Sequence, residues 1–140
     1  MKTASFVVLF LVGLAILVFS LLSARNAYTR DWAVGPTTVS KIEAIAPGAG
    51  PALRGSRGTA AAFGTAFGVL WLSVVYGPYR RGEAWAWWGL LGAILALAVV
   101  TLLRVPLVGA RTGVQGALTL LVLVLLGLVL DLGRVRGAVS

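Results

Sequence analysis

The run from Ala4 to Leu22 carries no charge. At a rise of 1.5 Å per residue, about 19 residues make about 28 Å of helix, close to a hydrocarbon thickness of about 30 Å. Three runs of the same kind follow, Thr59 to Tyr76, Ala84 to Leu103 and Thr112 to Leu130. None alternates with the two-residue period of a barrel strand, so these are helix-type signals and a β-barrel is excluded. Apolar residues are 59% and charged residues 11% of 140. So short a chain cannot hide that much apolar surface from water, because small domains bury the smallest fraction of their chain. The fold class expected is therefore an all-α membrane protein. Four transmembrane helices would form an antiparallel bundle, with a short amphipathic helix in the first loop. Residues 1–140 would make one transmembrane domain, with spans at about 4–22, 57–76, 84–103 and 112–130 and a long loop at 23–56.

Lys2 ahead of the first run resembles the start of a signal peptide. The apolar stretch is too long for one, however, and the exit Leu22-Ser23-Ala24-Arg25-Asn26-Ala27 offers no good small-x-small cleavage site. The run reads as a retained first helix. In the polar stretch that follows, Pro36, Pro47 and Pro51 and several glycines punctuate a loop. Between them Val39, Ile42, Ile45 and Ala46 fall at helical spacing, which predicts a short amphipathic helix, with an irregular loop as the alternative. Thr37 or Thr38 would cap its start and Pro47 would stop it. The second helix could begin as early as Pro51, a good first helical residue, and Gly77-Pro78 is expected to end it. The short link to Glu83 implies a helical hairpin. Pro106 could open the fourth helix in the same way.

Residue types that are missing exclude much chemistry. The chain has no Cys, no His and only four acids, Asp31, Glu43, Glu83 and Asp131, which are far apart in sequence. Thiolate nucleophiles, Fe–S clusters and imidazole bases are excluded, and a two-carboxylate site or hard-metal cage has no signature. No cofactor, metal or catalytic residue is expected, and the chain reads as non-enzymatic. A rival, an interfacial enzyme using Glu83 beside Arg80 and Arg81, competes with Glu83 simply starting the third helix. No acid or base lies inside any of the four apolar runs, with Asp131 placed in the exiting tail. Embedded ionisable groups mark proton and ion pathways, so a proton-coupled pump is disfavoured. The small multidrug transporters, which depend on a Glu in their first helix, are set apart for the same reason.

The twelve bases give a net charge of +8. They flank apolar runs and do not gather into one patch, so the expected partners are membrane lipids and not nucleic acid. Expected interface anchors are Trp32, Arg54, Arg57, Arg80, Arg81, Trp85, Trp87 and Trp88. Small residues recur at four-residue spacing in Ala60, Gly64 and Gly68, and again in Gly89/Ala93 and Gly92/Ala96. Such stripes let helix backbones approach in lipid, which predicts contact between the second and third helices. The fourth helix, Leu/Val-rich around Gly127, is expected to face lipid. Phe63, Phe67 and Trp71 share one helix face and form a candidate apolar ligand surface. With four spans, Lys2, Arg80, Arg81, Arg134 and Arg136 share one side of the membrane. Arg25, Arg30, Lys41, Arg54, Arg57, Arg104 and Arg111 share the other. The counts are close. The compact Arg80-Arg81 turn argues that the first side, with both termini, is cytoplasmic.

The segment Tyr79-Arg80-Arg81-Gly82-Glu83-Ala84-Trp85-Ala86-Trp87-Trp88, after a Gly-rich helix introduced by Pro51-Ala52-Leu53-Arg54, resembles small bacterial four-helix membrane proteins grouped as DoxX-like. The resemblance implies a four-helix bundle in the bacterial inner membrane with cytoplasmic termini. It implies no established activity and no catalytic residues. The function expected is that of an accessory or structural subunit of a membrane complex, associating with other subunits or with itself. The alternative is binding or transport of an apolar molecule, such as a quinone, lipid or hydrophobic drug, between the helices.

Overall fold

A computed structural model describes residues 2–108 and 113–133 of the chain. Helix α1 covers Lys2–Thr29, and a two-stranded ribbon pairs β1 (Ala33–Val34) with β2 (Thr37–Thr38). Then come α2 (Val39–Ile45), α3 (Ala49–Val74), a π-helical segment (Val75–Tyr79), α4 (Ala84–Val108) and α5 (Val114–Val129). Three of the described helices are long and apolar enough to cross a membrane: Thr3–Thr29, Ala49–Tyr79 and Ala84–Leu107. The described part of α5 is apolar and shorter, 16 residues or about 24 Å. Arg111, Thr112, Arg134 and Arg136, which entered the span and charge expectations, lie outside the described residues, as do the side chains of Lys2 and Arg104.

Several expected boundaries move. The loop expected at 23–56 shrinks from both ends, because α1 runs on to Thr29 and α3 starts at Ala49. What remains holds the ribbon, which was not expected. Its turn is Gly35-Pro36, with Gly35 at φ +60°, the conformation a two-residue hairpin loop demands of its first residue. Helix α2 falls where the amphipathic spacing put it and stops before Pro47. Thr38 is its N-cap residue but makes no side-chain capping bond. That role falls to Asp31, whose Oδ1 accepts the Ser40 N–H at 3.0 Å, satisfying a donor the first helical turn leaves open.

Gly77-Pro78 does not end the second long helix. The chain winds through Pro78 in the π segment and on through Arg80 and Arg81, turning only at Gly82 with φ +92°. Proline lacks an N–H and its ring collides with the carbonyl four residues back, so an α-turn here would be strained. Widening the turn by one residue relieves the collision without breaking the rod. Pro106 likewise stays inside α4 and does not open the next helix. It sits in the last turn, where few further bonds depend on it.

The chain divides into two compact units. One is Leu14–Leu70; the other combines residues up to Gly13 with those from Trp71 onward. In the first, the α1 and α3 segments run in opposite directions. A side chain at Gly58 would land on Tyr28, one at Gly64 on Ser20 and one at Gly68 on Leu17, so partner numbers fall as α3 numbers rise. In the second, buried residues of α4 (Ala86, Trp87, Leu90, Ile94 and Ala98) make one helical face, joined by Leu9, Val75, Val124 and Leu128.

Candidate functional site

Two places gather polar and aromatic chemistry, one in each unit. In the unit that includes the chain's first residues, the start of α1, the π segment, the start of α4 and the end of α5 converge. Ser5 and Tyr79 are both fully buried and hydrogen-bonded to each other. Ser5 Oγ also donates to the Gly127 carbonyl at 2.6 Å. A carbonyl can only accept, so the single Ser5 proton is committed there, and the phenol must donate to Ser5. Trp87 Nε1 donates to the Leu128 carbonyl at 3.1 Å, and Trp71 Nε1 to that of Leu9 at 3.0 Å. Asp131 is 4% exposed at the end of α5. The expectation that it belongs to an exiting polar tail is thereby corrected: the chain turns back over residues 130–132, with the Asp131 N–H on the Leu128 carbonyl. Arg80 covers this junction, its guanidinium 5.4 Å from the Tyr76 ring centre and 6.0 Å from that of Phe6, within cation–π range.

At the neighbouring turn Glu83 accepts from Arg81 Nε at 2.8 Å and from Trp85 Nε1 at 2.6 Å. The Arg81 hydrogen bond first, then that of Trp85, holds the Glu83 carboxyl below its ordinary range.

In the other unit, Arg54 Nη1 donates to the Arg30 and Ala27 carbonyls at 3.0 and 3.3 Å. It thus caps the end of α1, where helix carbonyls lack partners and the dipole favours a cation. Arg57 lies over the Trp32 ring at 4.6 Å, with Arg54 at 5.6 Å. On a different face of α3 runs an open groove of about 400 Å³ lined by Tyr28, Gly58, Thr59, Ala62, Phe63 and Ala66. Asp31 is held below the usual carboxylate range chiefly by the Ser40 backbone N–H; the Thr38 and Ser40 hydroxyls and the Arg54 charge add to this against partial desolvation.

No family model, curated protein or solved structure matches this chain.

Gly64 and Gly68 do lie at a helix contact, and its partner is α1: a side chain at Gly68 would meet the Leu17 backbone at 3.1 Å. Ala60 is exposed, and the buried line on α3 runs instead through Gly58, Ala61 and Gly68. On α4, Gly89, Gly92 and Ala96 are exposed and Ala93 is half-buried. Gly127, expected to face lipid, is buried with Leu9 side-chain atoms 3.0 Å from where its Cβ would stand. Of the tryptophan belt, Trp85 and Trp88 are exposed, whereas Trp87 is buried. The three aromatics of the candidate ligand face part company: Phe63 is 73% exposed, Phe67 is half-buried, and Trp71 is core. Sequence reading missed the Ser5–Tyr79–Gly127 junction, because one hydroxyl near the start of an apolar run has no periodic signature. Tyr28 beside Gly58 was missed for a similar reason, since only tertiary register pairs them.

Proposed function

We propose that this chain is a non-catalytic integral membrane protein of the bacterial inner membrane, acting as an accessory or structural subunit of a membrane complex. The observation that carries the reading is the use made of polar groups at helix contacts. Ser5, Trp71 and Trp87 all donate to backbone carbonyls, so these groups hold helices together. Meanwhile the small residues Gly89, Gly92 and Ala96 point outward between the exposed Trp85 and Trp88 and the apolar body of α4. An outward small-residue line is where another helix can approach closely in lipid. Four passes in an antiparallel bundle are part of the proposal. It is supported by the return of α5, whose last turn bonds Ser5 near the start of α1 and Trp87 near the start of α4. The DoxX-like kinship belongs to the same proposal.

The test is purification in mild detergent at native abundance. Stoichiometric recovery of another membrane protein, or a self-associated form, is expected, with cross-links through cysteines placed at Gly89 or Gly92. Recovery of a lone monomer would overturn the subunit reading. A second reading, binding or transport of an apolar molecule such as a quinone, lipid or drug, draws on the groove beside Phe63. It requires an apolar compound to co-purify and to be lost when Phe63 is replaced by alanine.

A further inference from the structure

We infer that the outward face of α3 in the Leu14–Leu70 unit is where two copies of this chain pair, side by side and in the same orientation. The inference rests on the membrane reading and uses a surface separate from the α4 line of Gly89 and Gly92. Ala52, Ser56, Thr59, Phe63, Ala66 and Leu70 follow one another at steps of four and three residues, and all of them are exposed. That spacing is the 3.5-residue repeat of a left-handed helix pair. It covers about 27 Å of helix. The residues that α3 uses against its own chain lie on the opposite side. They are Ala61 and Gly68, both buried, the latter against Leu17. The seam also alternates in size. Phe63 and Leu70 stand out, 73% and 65% exposed, and between and before them come only Ala, Ser and Thr.

The groove indicates what this face receives. Four of its six lining residues, Thr59, Ala62, Phe63 and Ala66, stand at i, i+3, i+4 and i+7. Four residues so placed enclose the hole into which a facing helix sets one side chain. Knob and hole thus occupy the same helix at the same level. A two-fold axis along the helix brings like levels together, so Phe63 of each copy enters the hole of the other. A lipid tail would fill a slot of any shape. A hole with its matching knob beside it is particular to a second α3. No charge obstructs the approach. Arg54 is turned to the Ala27 and Arg30 carbonyls and Arg57 to the Trp32 ring, on the far side of α3. Ser56 donates its hydroxyl proton to the Leu53 carbonyl, so it brings no open donor to the seam. In lipid, where burial from water no longer drives helices together, close packing of this kind favours pairing.

The chain has no cysteine, so single cysteines in the full-length protein report the contact in membranes. With Ser56→Cys, Thr59→Cys or Ala66→Cys, oxidation should give a disulfide-linked dimer at each of the three levels. Leu11→Cys, at a position 55% exposed on α1, should give none. In phosphatidylcholine vesicles of falling protein-to-lipid ratio, Phe63→Ala should weaken dimerisation by roughly tenfold or more, the order for a residue at the centre of an interface. Ala66→Phe, which fills the hole, should do the same. Both positions are exposed in the single chain, so circular dichroism should be unchanged, which separates lost pairing from lost fold. Disulfides no more frequent on the seam than at Leu11 would overturn the inference. So would a disulfide at one level alone, the mark of an antiparallel pair, or Phe63→Ala and Ala66→Phe variants that dimerise like the wild type. An apolar compound held by a monomer and lost with Phe63 would assign the groove to a ligand and overturn it as well. Seam disulfides without cross-links at Gly89 or Gly92 uphold this contact and sink the α4 surface of the subunit reading. Cross-links there to a different protein, without seam disulfides, do the reverse.

Discussion

Glycine has two opposite meanings in this chain. At Gly127 and Gly68 the missing side chain makes room for α1, with Leu9 and Leu17 in the space a Cβ would take; at Gly92 nothing lies within 4 Å of that position. Leucine at Gly127 or Gly68 should therefore destabilise by about 1–3 kcal/mol, the range for overfilling a packed contact. Gly92→Leu should leave the melting temperature of the isolated chain in detergent nearly unchanged. From sequence, Gly127 and Gly68 could not be ranked this way: a glycine in a Leu/Val run and one in a four-residue stripe differ in pattern, yet both face α1. Pattern reports which residues are small, whereas contact depends on how a neighbouring helix is rotated. The Ser5–Tyr79 junction makes a second expectation at single side chains. Ser5→Ala and Tyr79→Phe should each cost about 0.5–1.5 kcal/mol. Because both remove the same hydroxyl–hydroxyl bond, the double variant should fall short of their sum, which a double-mutant cycle of detergent melts would measure.

The long helices were legible because a charge-free run near membrane thickness admits few alternatives, and α2 was legible from its spacing. Their ends were not. Proline suggests a stop at Gly77-Pro78 and a possible start at Pro106, and in both places the helix continues. Sequence identifies the missing N–H but not the wider turn that accommodates it. The π segment yields a sharp expectation. Deleting Gly77 removes the extra residue, so a turn of ordinary α width rejoins the flanking helices in nearly their present register, but with Pro78 in the setting where its ring meets the carbonyl four residues back. The deletion alone should lower stability in detergent melts by about 3 kcal/mol, the cost of proline inside an α-helix. The deletion combined with Pro78→Ala should recover most of that loss. The ribbon and α2 respond instead to acid. Asp31 has a depressed carboxyl pKa, so its contribution is complete above the unfolded value of about 3.9 and declines as pH falls through the lower folded value. The protection of the Ser40 amide, its exchange rate relative to the intrinsic rate at each pH, should hold at neutral pH and be lost only as pH falls below about 3.9, and Asp31→Ala should remove it throughout.

Orientation in the membrane belongs to the molecule entire. With the proposed four passes, the start of α1, the Arg80-Arg81 turn and the end of α5 share one side, proposed here to be the cytoplasm. A cytoplasm-active reporter fused after Ser140 should give signal and a periplasm-active one should not; the reverse would invert the assignment. Comparable signals from both would indicate dual insertion, which the near balance of basic residues on the two sides leaves open. The Arg54 contacts have a consequence for how the chain can change. Arg54 grips the Ala27 and Arg30 carbonyls, so the excursion from Asp31 to Leu53 is clasped at its base, like a purse drawn shut at the neck. What lies beyond a closed neck is under little obligation to the rest. Lengthening such a loop twofold adds only about 0.6 kcal/mol of closure entropy. The Gly35-Pro36 tip is thus a stretch where this chain can acquire new sequence while the helices on either side of the clasp stay where they are.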